Sequence, residues 1–398
     1  LMPLIEKIGS SRVVVLGEAT HSEGTTERAK SRMVKFLHKH MGFDVLAWET
    51  GFVQTYAMNA ALRRPDISLP QAKLYLMSGG WATAEGIHPV FEYARSSWQT
   101  ARPLEMTGFD KGRPGVSAPY FRKFMSALGE RAALLALREE EWKLVEDLNK
   151  RAYGFFGREV PKEDDRKRER AVLEKLLDRT RSRRSELLKY LSEKELTLAE
   201  RFISDALKCE EIEYIRLTKG GYAFNVTRDR FMADNFLWLM KTLYPNRKII
   251  VWAATAHLIR NSNLIENPEH KDWYVENWEM GNHLHPVLGN DLYTIAFTSY
   301  GGKSGEIFPP EENTKDRIND RTPAPPNSFE AVAHELQKPY LFVDLRSAPP
   351  EHWLRGDYFS LSLGRFVNTA PWAKVVDAFF FIDQSEPVRY MARKSRSN

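Results

Sequence analysis

Two histidines and three carboxylates stand where short apolar runs end. Val13-Val14-Val15-Leu16 leads into Gly17-Glu18-Ala19-Thr20-His21, and Asp44-Val45-Leu46-Ala47-Trp48 leads into Glu49. Leu104-Glu105-Met106-Thr107-Gly108-Phe109 ends at Asp110, and Lys248-Ile249-Ile250-Val251-Trp252 runs through Ala253-Ala254-Thr255-Ala256 to His257. A neutral imidazole takes a proton from water near pH 7. A carboxylate on its other nitrogen fixes the tautomer and stabilises the imidazolium. Glu18, three residues before His21, fills that role when the intervening turn folds back. Glu49 is a second carboxylate, able to orient a water or raise the basicity of a histidine. His257 can act as acid to a leaving alkoxide or as electrophile to a developing oxyanion. The chemistry such a cluster could do is hydrolysis with histidine as general base. One acidic residue after one apolar run is equally well explained as a helix N-cap; four runs that end this way point to a shared site.

The same side chains allow two other readings. Two histidines and two or three carboxylates could hold zinc, iron or manganese, which gives a metal-dependent hydrolase or a metal-binding protein. Against this, the spacing matches no closed metal motif, and the single cysteine, Cys209, excludes a Cys-based site. The expectation is no required cofactor, with a bound divalent metal left open. The third reading is a small-molecule binding protein that keeps the cleft without turnover. Ser22 follows His21 without a Gly-x-Ser-x-Gly elbow around it, so a serine nucleophile is not expected. There is no Gly-x-Gly-x-x-Gly and no P-loop. His283 and His285 are expected in a loop or helix start, and His38 and His40 on the solvated side of a helix.

Positioning these residues is the task of the elements. Three more apolar runs follow, at Leu292–Phe297, Tyr340–Asp344 and Ala378–Ile382. Most runs are continuous rather than alternating, as in strands covered on both faces. Thr26 to Met41 places Met33, Val34, Leu37 and Met41 on one helical face, with Gly42 as a stop. Strand–helix–strand alternation predicts an α/β fold with a mostly parallel central sheet flanked by helices. In such a sheet the strand carboxyl ends share one edge, where ligands bind. From about Pro119 to Lys219 the chain is rich in Leu, Glu, Lys and Arg and has no strand-like run. This predicts a helical insertion, residues 119–219, forming a lobe over the strand C-terminal edge of a core made of residues 1–118 and 220–398. Gly154 to Pro161 interrupts the insertion. The mixed charges of Lys162 to Arg170 read as a solvated helix face, and Gly301 to Ser328 as a loop.

Composition narrows the partners. The 398 residues are 42% apolar, with a net charge of +5 spread over the whole length. That weak field gives no reason to expect nucleic acid. No apolar run approaches the roughly 18 residues of a membrane span. One cysteine cannot form an intrachain disulfide, and no signal-type apolar region is visible, so a reducing, cytoplasmic setting is expected. The partner expected is a small-molecule ester; nothing indicates the oligomeric state.

The strand-end residues also carry a family likeness. Leu16-Gly17-Glu18-Ala19-Thr20-His21, then a helix, then Gly42-Phe43-Asp44-Val45-Leu46-Ala47-Trp48-Glu49, resembles the opening of the erythromycin esterase family. Gly108-Phe109-Asp110, Arg228-Asp229-Arg230-Phe231-Met232-Ala233-Asp234-Asn235, the Trp252–His257 stretch, and Met280-Gly281 followed by Leu288-Gly289 continue the likeness in order. The resemblance implies an α/β fold with a helical lobe over the cleft. It implies hydrolysis of a carboxylic ester or lactone, macrolides being the best-known substrates, by water directly and without an essential metal. The general base then falls on His21, its supporting carboxylate on Glu18, the second acid on Glu49 and the second histidine on His257. Arg228, which otherwise reads as a surface salt bridge at the start of an amphipathic helix, becomes a substrate-binding position with Asp110 and Ser22. This sequence departs from the macrolide-resistance members at Ser22, where glycine is usual, at Glu23-Gly24-Thr25-Thr26, and at Thr255 and Ala256. The implied expectation is retained core chemistry with a different pocket.

Overall fold

All seven apolar runs are strands. The computed structural model describes residues 1–73, 80–112, 114–152, 159–269, 273–307, 317–364 and 366–391. The strands are β1 (Val13–Glu18), β2 (Phe43–Gly51), β3 (Glu105–Asp110), β4 (Lys248–Ala254), β5 (Leu292–Ser304), β6 (Asn319–Arg321), β7 (Tyr340–Asp344), a small hairpin of β8 (Tyr358–Ser360) and β9 (Asn368–Ala370), and β10 (Ala378–Ser385). The main sheet runs β3-β2-β4-β1-β5-β10-β7, with β6 on the end of β5. The pairs β2–β4, β4–β1, β1–β5 and β5–β10 are parallel; β7 on β10 and β6 on β5 are antiparallel. The central sheet is therefore mostly parallel, as expected. Its antiparallel members are β7, an edge strand left partly open to water, and the three-residue β6.

The chain divides into two compact units. The first comprises Leu1–Glu49, Asn59–Thr107 and Ala233–Asn398; the second comprises Thr50–Met58 and Gly108–Met232. In the first, Val13 to Leu16 are wholly buried, so the central strand is covered on both faces. β1, β2 and β4 run in the same direction, and Leu16 and Trp48 both register on Trp252. Glu18 at the end of β1, Glu49 just short of the end of β2 at Gly51, and Ala254 at the end of β4 therefore reach one edge together. Gly17 is required there: a Cβ would lie 2.7 Å from Thr255 Oγ1 and 3.0 Å from Thr255 Cα. Helix α1 (Gly24–Met41) buries Met33, Val34 and Leu37 and stops at Gly42, whose left-handed backbone (φ 79°, ψ 14°) lets its N–H reach Leu37 O. Gly301 and Gly302 lie within β5 rather than in a loop, because the strand continues to Ser304 to pair with β6.

The second unit is built on α2 (Pro114–Arg131), α3 (Glu139–Ala152), α4 (Glu163–Ser182) and α5 (Glu193–Trp238), the last kinked at Gly220, φ 83°. It thus takes in residues 119–219 together with flanking chain on both sides. Leu173, Leu176, Phe202, Ile203 and Ile212 fill its core, with the free thiol of Cys209 buried beside them. The charged run at the start of α4 is not wholly a solvated face. Arg166 and Arg170 both reach the buried carboxylate of Glu210, each at 2.7 Å, and so tie α4 to α5. Of the expected break at Gly154 to Pro161, residues 154–158 lie outside the described residues.

Candidate active site

The site starts where β1 ends. Glu18 is its last residue and is buried; Ala19 and Thr20 turn the chain, and His21 comes back over the strand end. His21 Nδ1 lies 2.9 Å from Glu18 Oε1. The other carboxylate oxygen of Glu18 is held by Nζ of Lys30, which projects from α1 and is wholly buried. The ammonium end of Lys30 also lies 4.3 Å from the centre of the Trp252 ring. Burial pulls the Lys30 amine well below the ordinary lysine range, while the carboxylate of Glu49 acts in the opposite direction.

A parallel arrangement is built at the ends of β2 and β4. Glu49 Oε2 accepts the Ala254 N–H at 2.9 Å, which fixes the carboxylate at the end of β4. From there α6 (Thr255–Leu258) begins and carries His257, whose Nε2 is 3.4 Å from Glu49 Oε1. Each histidine thus has its own glutamate. An aromatic wall backs the group. Trp81 meets His21 edge-on at 5.3 Å and 86°, and Trp48 packs on Trp81, Trp252 and Phe91. Such a wall lowers the local dielectric and strengthens every charge interaction beside it.

Two cavities lie around the turn that carries His21. The smaller, about 10 Å³ or the space of one water, is lined by Glu18, His21, Glu27, Lys30, Trp81 and Trp252 among others. Glu27 is 5% exposed, and among the described residues neither of its carboxyl oxygens has a hydrogen-bond partner. Burial pushes this carboxyl up to about 8, with the Arg28 charge opposing. The larger cavity, about 220 Å³, has Thr20 and Ser22 in its wall. Thr20 lines both. Ser22 itself is buried, its Oγ 3.0 Å from Thr20 Oγ1.

Glu27 gives a prediction for stability. Its folded-state pKa is raised, so the fold favours the protonated form. Between the ordinary value of 4.5 and about 8 the unfolded chain ionises while the folded chain does not. Stability therefore falls as pH rises through that window, by at most about 5 kcal/mol in order of magnitude. Glu27→Gln should flatten this slope. Urea unfolding at a series of pH values checks it, and parallel stability curves for the two proteins would refute it.

Sequence reasoning placed Glu18, His21, Glu49 and His257, and the first unit brings these four together. Asp110 and Arg228 belong to the second unit, where they form a two-pronged pair. Arg228 Nε reaches Asp110 Oδ1 at 2.9 Å and Nη2 reaches Oδ2 at 2.5 Å, both side chains being largely buried. The pair is thus no surface salt bridge. His38, expected in solvent, is buried with Nδ1 2.6 Å from the Tyr93 hydroxyl. His283 and His285 lie on the helix Met280–Leu288. Among the described residues, no group of three or more His, Cys, Asp or Glu side chains is arranged to hold a metal ion.

Lys30, Glu27 and the tryptophans were missed. A signal for the first two existed. Glu27 and Lys30 prolong the stripe of Val34 and Leu37 at helical spacing, so two charged residues occupy core-facing positions of α1. Buried charges at such positions are rare without a partner.

The comparisons with known proteins agree with this architecture. The erythromycin esterase family model matches residues 38–385, a span that begins after Glu18 and His21. The putative hydrolase YbfO of Bacillus subtilis (strain 168) is 32% identical over 355 residues, 84% of this chain and 74% of that protein. Among solved structures, a Bacillus cereus protein shares the fold with a TM-score of 0.78 at 18% identity, over 98% of this chain and 92% of that one. A mutant of the erythromycin esterase EreC, in its open conformation, does so with a TM-score of 0.71 at 15% identity, over 97% and 93%. The family span and the YbfO identity together establish that this chain belongs to the erythromycin esterase family, and with it to the hydrolases.

Proposed function

We propose that the protein hydrolyses a carboxylic ester or lactone by direct attack of water, with His21 as general base. The observation that carries this is the chain of contacts from His21 Nδ1 to Glu18 and from Glu18 to buried Lys30. With Nδ1 donating to Glu18, the lone pair is on Nε2, which takes a proton from water as its oxygen bonds to the acyl carbon. The tetrahedral intermediate collapses with cleavage of the bond to the alkoxide oxygen. The alkoxide receives a proton from His257 or from the imidazolium of His21, leaving acid and alcohol. Glu49 holds His257 and offsets its charge. Ser22 forms part of the substrate pocket, and Asp110 and Arg228 are assigned to substrate on the sequence likeness around them.

The reaction in this reading needs no metal. An amine on the second oxygen of Glu18 supports that, because it occupies the carboxylate oxygen that a metal would otherwise bind. The single cysteine fits a reducing, cytoplasmic setting. The test is a panel of lactones and acyclic esters, macrolides included, followed by mass. A lactone product should gain the mass of one water, an acyclic ester should split into acid and alcohol, and added hydroxylamine should capture no acyl group. Absence of turnover across the panel, or capture by hydroxylamine, would overturn the reading.

A further inference from the structure

The larger cavity, beside the turn that carries His21, differs from an ordinary small-molecule pocket. Such pockets are mostly apolar, with a few polar groups, and those for drug-sized ligands occupy about 300–1,000 Å³. This one is about 220 Å³, and its described wall contains a single aliphatic side chain, Leu361. Apart from Gly364, the rest is hydroxyl, amide and charge. Thr20 and Ser22 come from the turn that carries His21, Ser304 from the end of β5, and Asn319 and Arg321 from β6, with Thr322 following. The pairing of Ser304 with Asn319 brings the two strands to the same wall.

The charges here are already matched. Arg321 is paired with the buried carboxylate of Glu23 and also donates to Ser299 Oγ at 2.7 Å. Asp320 is paired with Lys303 at 3.0 Å. A wall of hydroxyl and amide groups with matched charges favours neither an anion nor a cation. It suits an uncharged ligand with several hydroxyl groups. Thr20 lines both this cavity and the small cavity of His21, so the two share one residue of the turn that carries the base.

We infer that this cavity is a subsite for the hydroxyl-rich part of a small ester, of about monosaccharide size, and that it sets the substrate class of the enzyme. The inference rests on the ester-hydrolase reading. Asn319 and Thr322 supply hydrogen bonds to ligand hydroxyls, and the ester bond of the same molecule is presented to His21.

The experiment compares kcat/KM for a monoacetylated methyl glucoside and for cyclohexyl acetate, which has the same acyl group and a ring without hydroxyls. Ethyl gluconate is the arm with hydroxyls on the acid side, set against ethyl hexanoate. One of the two hydroxylated esters should be preferred over its plain counterpart by tenfold or more, chiefly through KM. Asn319→Ala and Thr322→Val should each lower that ratio by about two- to tenfold, the effect of one lost neutral hydrogen bond. Asn319 is exposed, so its variant keeps the fold. Ligand-observed NMR of methyl glucoside reads the subsite without turnover and should weaken in Asn319→Ala. Esters turned over with no hydroxyl preference overturn the subsite and leave hydrolysis standing. Methyl glucoside bound at this wall with no ester cleaved overturns hydrolysis and leaves the subsite standing.

Discussion

His21→Asn lowers kcat by about a thousandfold and leaves the chain folded. General-base catalysis by a positioned side chain contributes about 10²–10⁴, and an asparagine can reach Glu18 as Nδ1 does but cannot accept a proton at neutral pH. The fold survives for an identifiable reason. His21 is partly exposed, and its removal leaves Glu18 held by Lys30 rather than unpaired in the interior. The edge contact with Trp81, worth about 0.5–1.5 kcal/mol, is lost with the ring. Wild-type activity should also decline toward acid pH, where an imidazole base is protonated, and the residual activity of the variant should lack that limb. Kinetics on a cleaved ester with a thermal melt beside them decide it. A variant retaining a tenth or more of wild-type kcat removes His21 from the reaction.

The path from sequence to site was short where the backbone alone fixes the outcome. The middles of β1, β2 and β4 are continuous apolar runs because both sheet faces are covered, so the first polar residue after each run lies at or near a strand end. Parallel pairing then carries Glu18, Glu49 and His257 to one edge without reference to their side chains. Lys30 and Glu27 were harder to see because lysine and glutamate on a helix ordinarily mean solvent, and only their place on the buried stripe of α1 says otherwise. The tryptophans were unreadable for the opposite reason: Trp48 and Trp252 look like any core residue until register sets them side by side. Nothing local distinguishes Arg166 and Arg170 from their exposed neighbours, since Glu210 is some forty residues away. The wall of the larger cavity depends on a three-residue strand, too short to produce a pattern.

Lys30→Met has the largest expected effect on the fold itself. Methionine keeps much of the length and apolar body of lysine, so the space stays filled. The change isolates the amine: Glu18 loses the partner of one oxygen, and Glu49 loses a nearby amine. Removing one member of a buried pair costs about 3–5 kcal/mol, because the group left behind stays desolvated and uncompensated. Without the amine on its second oxygen, Glu18 is held less firmly against His21, so kcat falls with stability. Glu18→Gln together with Lys30→Met separates the two effects. Replacing both members leaves no unpaired charge, so the double variant should be more stable than the sum of the single losses predicts, by about 2 kcal/mol or more, while activity stays low. Urea unfolding of the four proteins gives the coupling. Additive losses would mean that Lys30 and Glu18 do not act as a pair, and the proposed support for the base would fail with them.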